Sequence, residues 1–261
     1  MIPLVLVHGF LGGSAQWEDL ATRLGSGREV IALDLPGFGE NAHLAACNRI
    51  EDFATWVIQT LKERGIEHYH LLGHSMGGMI AQDVSRMAGP AVERLILYGT
   101  GSQGALPDRF ETIAVSKRRA VSDGASVTAR RISATWLRDR ENSPHFDTVS
   151  QIAQKARLPA IEAGLTAMEN WSGTDRLARI ENQTLIIWGD LDRSYGWPQI
   201  SLLWKEIPKA SLCVLPGCAH LVHLEAPIAL CDVLQRFLDE DRSADWAEDD
   251  RHVAGHTRLA L

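Results

Sequence analysis

Six short runs of valine, isoleucine and leucine constrain the fold of this chain more than any other feature. They occupy residues 2–8, 29–35, 69–73, 94–98, 184–189 and 211–215. Apolar and polar residues do not alternate within these runs, which is typical of strands covered on both faces. Most intervals between them show the spacing of amphipathic helices, at residues 15–24, 51–63, 78–88, 199–207 and 226–238. This alternation predicts an α/β fold with a mostly parallel, doubly wound sheet of about six strands.

One long interval, residues 102–180, departs from this alternation because it contains no convincing strand. Its periodicity predicts four helices, at residues 106–121, 126–137, 146–156 and 159–171. We therefore predict a helical cap of residues 102–180, inserted into a core made of residues 1–101 and 181–238. The remaining segment, residues 239–261, is polar and acidic, and we expect it to be disordered.

Composition excludes several classes of protein. The 261 residues carry a net charge of −7, so the overall basic surface of a nucleic-acid-binding protein is not expected. No window approaches the roughly 18 apolar residues of a membrane span, and the first residues lack the cationic start of a signal peptide. No two cysteines form a C-x-x-C pair, so we interpret all four as reduced thiols of a cytoplasmic protein: Cys47, Cys213, Cys218 and Cys231.

The most specific local signal is the sequence Gly73-His74-Ser75-Met76-Gly77, which fits G-x-S-x-G. It directly follows an apolar run and precedes a predicted helix. A strand-to-helix turn this sharp holds its central residue in a strained conformation and exposes the hydroxyl group. The two glycines leave room for the turn. We therefore predict Ser75 as a nucleophile.

A serine hydroxyl needs a base to take its proton. His220 lies in the loop after the last predicted strand, and such loops converge with Ser75 on one edge of a parallel sheet. His223, three residues later, is the competing candidate. The base in turn needs a carboxylate, and Asp190 and Asp192 both follow the strand at residues 184–189. Spacing alone leaves both choices open.

Two backbone N–H groups are candidates for the oxyanion hole that stabilises a tetrahedral intermediate. One belongs to Met76, directly after the nucleophile. The other is expected in the glycine-rich turn after the first strand, most simply at Phe10. Acyl transfer by such a site needs no cofactor, and no histidine–carboxylate cluster has the spacing of a metal site. The run at residues 99–104 fits G-x-G-x-x-G, but no second strand ending in Asp or Glu follows it, which argues against a dinucleotide.

Together these residues resemble the α/β-hydrolase superfamily over residues 1–238. The resemblance rests on five motifs in the family's order: Val7-His8-Gly9-Phe10, Asp34-Leu35-Pro36-Gly37-Phe38-Gly39, Gly73-His74-Ser75-Met76-Gly77-Gly78, Trp188-Gly189-Asp190-Leu191-Asp192, and Gly217-Cys218-Ala219-His220 with Glu225-Ala226-Pro227. In the family pattern the acid stands three residues after the strand-end glycine, which implies Asp192. The pattern likewise implies His220 as the base, and a helical cap where residues 102–180 lie.

The sequence departs from the family at its start. Family members usually carry two antiparallel strands before the His-Gly motif, whereas the first core strand here begins at Ile2. Either the sheet is a minimal one of six parallel strands, or the chain start was assigned late. The missing strands would lie far from the catalytic edge, so this difference does not affect the predicted chemistry. It affects how the edge of the sheet is protected and whether the protein is a monomer or a homodimer.

The substrate is the hardest feature to predict. The interval 102–180 is the only part with a positive net charge, +3, from 12 Lys/Arg and 9 Asp/Glu. Its arginines are candidates to bind an anionic substrate, although solvated helix faces are the commoner explanation: Arg118, Arg119, Arg130, Arg131, Arg138 and Arg140. Aromatic residues are candidates to line an apolar acyl pocket: Trp136, Trp171, Tyr195, Trp197 and Trp204.

The favoured prediction is a serine hydrolase that cleaves an ester or lactone of a small molecule. Three alternatives stay open: carbon–carbon bond hydrolysis of aromatic ring-cleavage products, a lyase resembling menaquinone-pathway synthases, and a ligand receptor without catalysis. The ring-cleavage hydrolases tend to have Asn before the nucleophile and Trp after the base, where this chain has His74 and Leu221. The synthases usually have Arg after the elbow glycines, where Met79 stands.

Overall fold

The computed structural model describes residues 1–106, 111–239 and 258–259. Its centre is one sheet in which every strand pairing is parallel, with the order β2-β1-β3-β4-β5-β6-β7. The strands are β1 Leu4–Val7, β2 Val30–Leu33, β3 Tyr69–His74, β4 Val92–Tyr98, β5 Gln183–Gly189, β6 Ala210–Leu215 and the two-residue β7 Arg258–Leu259. The predicted fold class is confirmed, and the six main strands lie within two residues of the predicted runs.

Ten α-helices lie in the described part of the chain. They are α1 Glu18–Leu24, α2 Ile50–Glu63, α3 Met76–Ala88, α4 Ile113–Asp123, α5 Ala125–Ala134, α6 Phe146–Ala153, α7 Leu158–Glu169, α8 Trp197–Glu206, α9 Val222–Glu225 and α10 Pro227–Asp239. None is long and apolar enough to span a membrane. All four cysteines are free.

Two helix predictions need correction, and one short helix was missed. The first helix was expected from residue 15, but Ser14–Trp17 form a 3₁₀ turn before α1. The helix expected from residue 106 begins at Ile113, because the Thr112 side chain accepts the Val115 N–H group and fixes the start there. The short α9, which follows His220, was not predicted.

Helices cover both faces of the sheet, and this explains why the strands carry no alternating pattern. All four residues of β1 are buried, and successive residues pack into two different clusters. Val5 and Val7 belong to the cluster that includes α2, α3 and α8, while Leu4 and Leu6 pack with α1 and α10. Each strand therefore buries apolar side chains in both directions.

The helices α4 to α7 all lie in the chain between β4 and β5. Most of the acidic segment predicted as disordered, residues 240–257 and 260–261, lies outside the described residues. Three residues of the segment are described: Asp239 ends α10, and Arg258–Leu259 pair in parallel with Leu212 and Cys213. β7 thus covers the edge of β6. The composition of these two residues does not predict this pairing.

Candidate active site

Ser75 occupies the turn between β3 and α3 with a φ of 57°, a conformation that residues other than glycine rarely adopt. Two hydrogen bonds fix its backbone. Its N–H group donates to the Tyr98 carbonyl at 3.0 Å, and the Thr100 hydroxyl donates to the Ser75 carbonyl at 2.7 Å. The strained turn predicted from the G-x-S-x-G sequence is therefore present, and the end of β4 together with the residues just after it holds the turn in place.

The two glycines of this turn are needed because backbone segments meet there at very short range. A Cβ atom on Gly73 would stand 2.2 Å from the Gly77 carbonyl oxygen. One on Gly77 would stand 2.3 Å from the Val7 carbonyl oxygen. Any side chain at either position would push α3 away from the sheet, and Ser75 would move with it.

The structure pairs His220 with Asp192. The His220 Nδ1 atom lies 2.8 Å from Asp192 Oδ2, and the two side chains are only 2% and 0% exposed. The other carboxylate oxygen, Oδ1, accepts the N–H groups of Ser194 at 2.7 Å and Tyr195 at 3.3 Å. Asp190 instead accepts the Gly217 N–H group at 2.7 Å, as a turn residue does. The hydrogen bonds thus distinguish Asp192 from Asp190, whereas the spacing of the sequence left the choice between them open.

His223, the competing histidine, is built into the packing beneath the site. Its Nδ1 atom accepts a hydrogen bond from the Tyr98 hydroxyl at 3.0 Å, and its ring lies 4.4 Å from the Trp17 ring. Burial lowers the pKa of His223 to about 3, with smaller contributions from His220 and His145. A buried ring that stays neutral and does not border the cleft with Ser75 is a structural residue.

The loop that carries His220 is held by the helical segment between β4 and β5. The His220 N–H group donates to the Trp136 carbonyl at 3.0 Å. The carboxylate of Glu225 accepts the Ala219 N–H group at 2.5 Å and the Arg138 N–H group at 2.6 Å. The position of the imidazole therefore depends on this segment as well as on the sheet.

Three neighbours pack against the His220 ring. The Tyr195 ring stacks on it, with centroids 5.8 Å apart and an angle of 22° between planes. The His74 ring lies 4.4 Å away. Gly99 approaches from a third side with a φ of +52°, and a Cβ atom there would stand 3.2 Å from His220 Nδ1 and 3.5 Å from Asp192 Oδ2. The imidazole has little freedom to rotate.

The backbone amides predicted for the oxyanion hole belong to Met76, directly after Ser75, and to Phe10, in the turn after β1. Met76 is the first residue of α3, and the first N–H groups of a helix have no acceptor within it. Phe10 lies in a turn closed by a hydrogen bond from the Gly12 N–H group to the Gly9 carbonyl at 3.0 Å. Leu11 occupies the third position of that turn with a φ of 59°.

A narrow cleft joins these parts, and Phe10, Ser75 and His220 all line it. Most of its remaining wall is apolar: Leu106, Ile132, Trp136, Met168 and Leu221. Tyr195 lines the cleft too, so two of the residues predicted for an acyl pocket, Trp136 and Tyr195, are placed here. Among the described residues that border the cleft, none is Lys or Arg.

The other predicted substrate residues lie elsewhere. Trp171 is buried and donates its indole N–H to Asp83 at 2.9 Å. Trp197 is 45% exposed and packs against Trp188 and Trp204. Arg118 and Arg119 are exposed and do not border the cleft in the described part of the structure.

Sequence reasoning missed three polar residues that line the cleft: Gln16, Ser194 and the ring of His74. His74 stands next to Ser75 in the motif, which was the available signal. Gln16 lies in the 3₁₀ turn before α1 and carries no signal of its own. Within the described ranges, no group of three or more His, Cys, Asp or Glu side chains is arranged to hold a metal ion.

Comparison with known proteins adds a family and a set of distant relatives. Residues 4–233 match the Alpha/beta hydrolase family. A dihydrolipoyllysine-residue acetyltransferase component of an acetoin cleaving system from Pseudomonas putida is 29% identical over 235 residues, which cover 86% of this chain and 60% of that protein. The chain thus spans less than two thirds of that relative.

Two further proteins match over nearly their whole length. A pimeloyl-[acyl-carrier protein] methyl ester esterase from Aeromonas hydrophila is 25% identical over 245 residues, covering 90% of this chain and 94% of the esterase. The crystal structure of an enol-lactonase from Burkholderia xenovorans LB400 superposes with a TM-score of 0.83 at 18% identity, covering 92% of each chain. The parallel sheet, the strained turn at Ser75 and the match over residues 4–233 lead to one conclusion: this chain belongs to the α/β-hydrolase family.

Proposed function

We propose that this protein is a serine hydrolase that cleaves a carboxylic ester or lactone through an acyl-enzyme intermediate. The observation that carries the proposal is the buried 2.8 Å contact between His220 and Asp192, at a cleft that the strained Ser75 also lines. A nucleophile, a base and a carboxylate that orients the base are the three groups that acyl transfer requires.

In the first half-reaction, His220 Nε2 takes the Ser75 hydroxyl proton while Ser75 Oγ attacks the carbonyl carbon. The carbonyl oxygen becomes an oxyanion, which the N–H groups of Phe10 and Met76 stabilise. Asp192 accepts the Nδ1–H bond and stabilises the imidazolium. The tetrahedral intermediate then collapses, the carbon–oxygen bond to the alcohol breaks, and His220 gives its proton to the leaving oxygen.

In the second half-reaction, a water molecule takes the place of the alcohol. His220 removes one proton from the water as its oxygen attacks the acyl carbon. Collapse of the second intermediate breaks the bond to Ser75 Oγ, which regains its proton from His220, and the free acid is released. Every atom comes from substrate, water or the three side chains, so the proposed steps use no cofactor.

The lining of the cleft favours a substrate that is recognised through an uncharged acyl group. Its described walls are largely apolar and include no cationic side chain. We propose that residues 102–180 act as a cap that supplies part of these walls, since Leu106, Ile132, Trp136 and Met168 come from this segment. Burial of an apolar acyl chain against them would contribute about 25 cal/mol per Å² of area removed from water.

Covalent labelling with a fluorophosphonate probe tests the proposal. We expect stoichiometric labelling of the wild-type chain and none of the Ser75→Ala variant. Ser122→Ala, an exposed position on α4, is the matched control and should label like the wild type. Failure of the wild-type chain to label would overturn the assignment of Ser75 as nucleophile and would favour a receptor without catalysis.

A substrate panel then separates the reaction types that share such a site. Short-chain p-nitrophenyl esters, enol-lactones and dienoic ring-cleavage products should be compared by kcat/KM. Turnover of esters or lactones is expected. Labelling combined with turnover of the dienoic compounds alone would reassign the protein to carbon–carbon bond hydrolysis.

A further inference from the structure

The loop that carries Asp192 is fastened to the helical segment between β4 and β5 by the side chain of the next residue, Arg193. The guanidinium group of Arg193 donates to two backbone carbonyls, that of Leu137 at 2.9 Å and that of Arg138 at 3.1 Å. One planar group that bonds two neighbouring oxygens fixes their orientation as well as their distance. The loop of the carboxylate is thereby tied to a short stretch of backbone just after α5.

The same stretch of backbone also holds the loop of the base. The His220 N–H group donates to the Trp136 carbonyl at 3.0 Å. The Glu225 carboxylate accepts the Arg138 N–H group at 2.6 Å through one oxygen, and the N–H group of the residue before His220 at 2.5 Å through the other. Residues 136–138, which we call the strut, therefore bond to the loops of both His220 and its carboxylate partner.

The position of Arg193 matters to the carboxylate because the next two residues hold it. Asp192 Oδ1 accepts the N–H groups of Ser194 at 2.7 Å and Tyr195 at 3.3 Å, and these directly follow Arg193 in the chain. Asp192 Oδ2 then faces His220 Nδ1 at 2.8 Å. A shift of the backbone after Arg193 would move both donors, turn the carboxylate and lengthen its contact with the imidazole.

Other contacts fasten the same loop to the sheet. The Asp192 N–H group donates to the Gly189 carbonyl at the end of β5 at 3.0 Å, and the Trp188 indole N–H donates to the Tyr195 carbonyl at 2.9 Å. These bonds would keep the loop folded without Arg193. What Arg193 adds is the connection to the strut, and hence to the element that holds the base.

We infer that Arg193 is a positioning residue of the proposed hydrolysis, on which this inference rests. By fastening the carboxylate's loop to the strut, it keeps Asp192 Oδ2 against His220 while the imidazole takes and returns protons. Among the described residues that border the cleft, Trp136 of the strut is present and Arg193 is not. Arg193 thus acts through Asp192 rather than on the substrate, and its loss should lower kcat without raising KM.

The rate of fluorophosphonate labelling tests this role. Ser75 reacts with the probe only when His220 activates it, whereas the final stoichiometry counts the folded sites. Arg193→Met keeps a long apolar stem and removes the donors. We expect full stoichiometry and a labelling rate about tenfold below wild type, less than the roughly 100-fold that a displacement of about 1 Å costs, because the bonds to the sheet remain. Arg193→Lys has a single ammonium group and should lose only about threefold.

Steady-state kinetics with the best ester of the panel give a second readout. For Arg193→Met, kcat should fall by the same factor as the labelling rate, and KM should stay within about twofold of wild type. Arg23→Met is the matched control, since Arg23 is exposed on α1 and pairs with Asp19 at 2.8 Å. That variant should label and turn over like the wild type.

Three results would remove Arg193 from this role. Wild-type labelling rates in both Arg193 variants would show that the strut contact does not position the carboxylate. Fewer labelled sites that react at the wild-type rate would show a contribution to folding alone. A raised KM with an unchanged kcat would indicate a contact with the substrate. In each case the wild-type chain still labels, so the proposed hydrolysis stands, whereas a wild-type chain that does not label would refute both.

Discussion

Replacing Asp192 with asparagine tests how the carboxylate acts on His220. In the structure, Asp192 Oδ1 accepts two backbone N–H groups, from Ser194 and Tyr195, and Oδ2 faces His220 Nδ1 at 2.8 Å. An asparagine has one oxygen, and the two backbone donors require it at the Oδ1 position. The NH₂ group of the asparagine must then face His220 Nδ1.

An NH₂ group can only donate, so His220 would have to present an unprotonated Nδ1 and carry its proton on Nε2. That tautomer cannot accept the Ser75 proton. The equivalent change in a serine protease triad lowers kcat about 10 000-fold through the wrong tautomer, and we expect Asp192→Asn to do the same here. This loss corresponds to about 5.4 kcal/mol of activation free energy.

The assay is the steady-state kcat for the best ester of the panel, with unfolding by urea measured alongside to show that the variant is folded. Asp190→Asn is the matched control, because Asp190 accepts only the Gly217 N–H group through an oxygen that asparagine retains. It should keep kcat within about threefold of wild type, since a neutral hydrogen bond contributes about 1 kcal/mol. An active Asp192→Asn beside an inactive Asp190→Asn would refute the reasoning.

Two further predictions follow from the packing around the site. Gly99→Ala should cost about 1–2 kcal/mol of backbone free energy at a φ of +52°. It should also lower kcat by shifting His220, though by less than the roughly 100-fold that a displacement of about 1 Å costs; an unchanged kcat would contradict this. Burial lowers the pKa of His8 to about 4 and of His223 to about 3, whereas the unfolded chain binds these protons near pH 6.5. The stability that the neutral rings contribute is therefore complete above pH 6.5 and is lost as the pH falls toward 4 and 3. The urea concentration at the midpoint of unfolding should fall as the pH is lowered from 6.5 to 3. His223→Gln should reduce the slope of this midpoint against pH, and equal slopes for the variant and the wild type would refute the role of His223.

The fold was predictable because its signal is repeated along the chain. Strands such as Leu4–Val7 are buried on both faces, so every position is apolar and the run stands out from the polar turns. Boundaries were less predictable where a single hydrogen bond sets them. The start of α4 depends on the Thr112 side chain, and the pairing of Arg258–Leu259 depends on the free edge of β6.

The candidate site was predictable only in part. The turn at Ser75 is a local structure, and five consecutive residues specify it. The choice between Asp190 and Asp192 depends on the directions in which two neighbouring carboxylates point, and a loop sequence does not encode this by itself. Gln16 reaches the cleft because the 3₁₀ turn Ser14–Trp17 places it there, far in sequence from Ser75. Such residues become visible only when the tertiary structure brings them together.

The positive charge of residues 102–180 has a structural explanation. The carboxylate of Glu111 is only 6% exposed and receives hydrogen bonds from Arg119, Arg131 and Ser116. Burial acts to raise the pKa of Glu111, but the bonds from Ser116 and Arg131 outweigh it and hold the pKa below its usual value. A buried carboxylate with two guanidinium partners is a packing element that joins α4 to α5.

Other cationic side chains of this segment also contact protein groups. The guanidinium of Arg130 lies 4.5 Å from the centre of the Phe146 ring, and Arg138 pairs with Asp139 at 3.1 Å. Both are at least half exposed, so each contact contributes little to stability, yet each directs the side chain to protein groups within the segment. Four of the arginines proposed for substrate binding, Arg119, Arg130, Arg131 and Arg138, therefore contact protein groups of this segment. In the described part of the structure, these contacts give no reason to assign an anionic substrate, and the largely apolar walls of the cleft are the better guide to specificity.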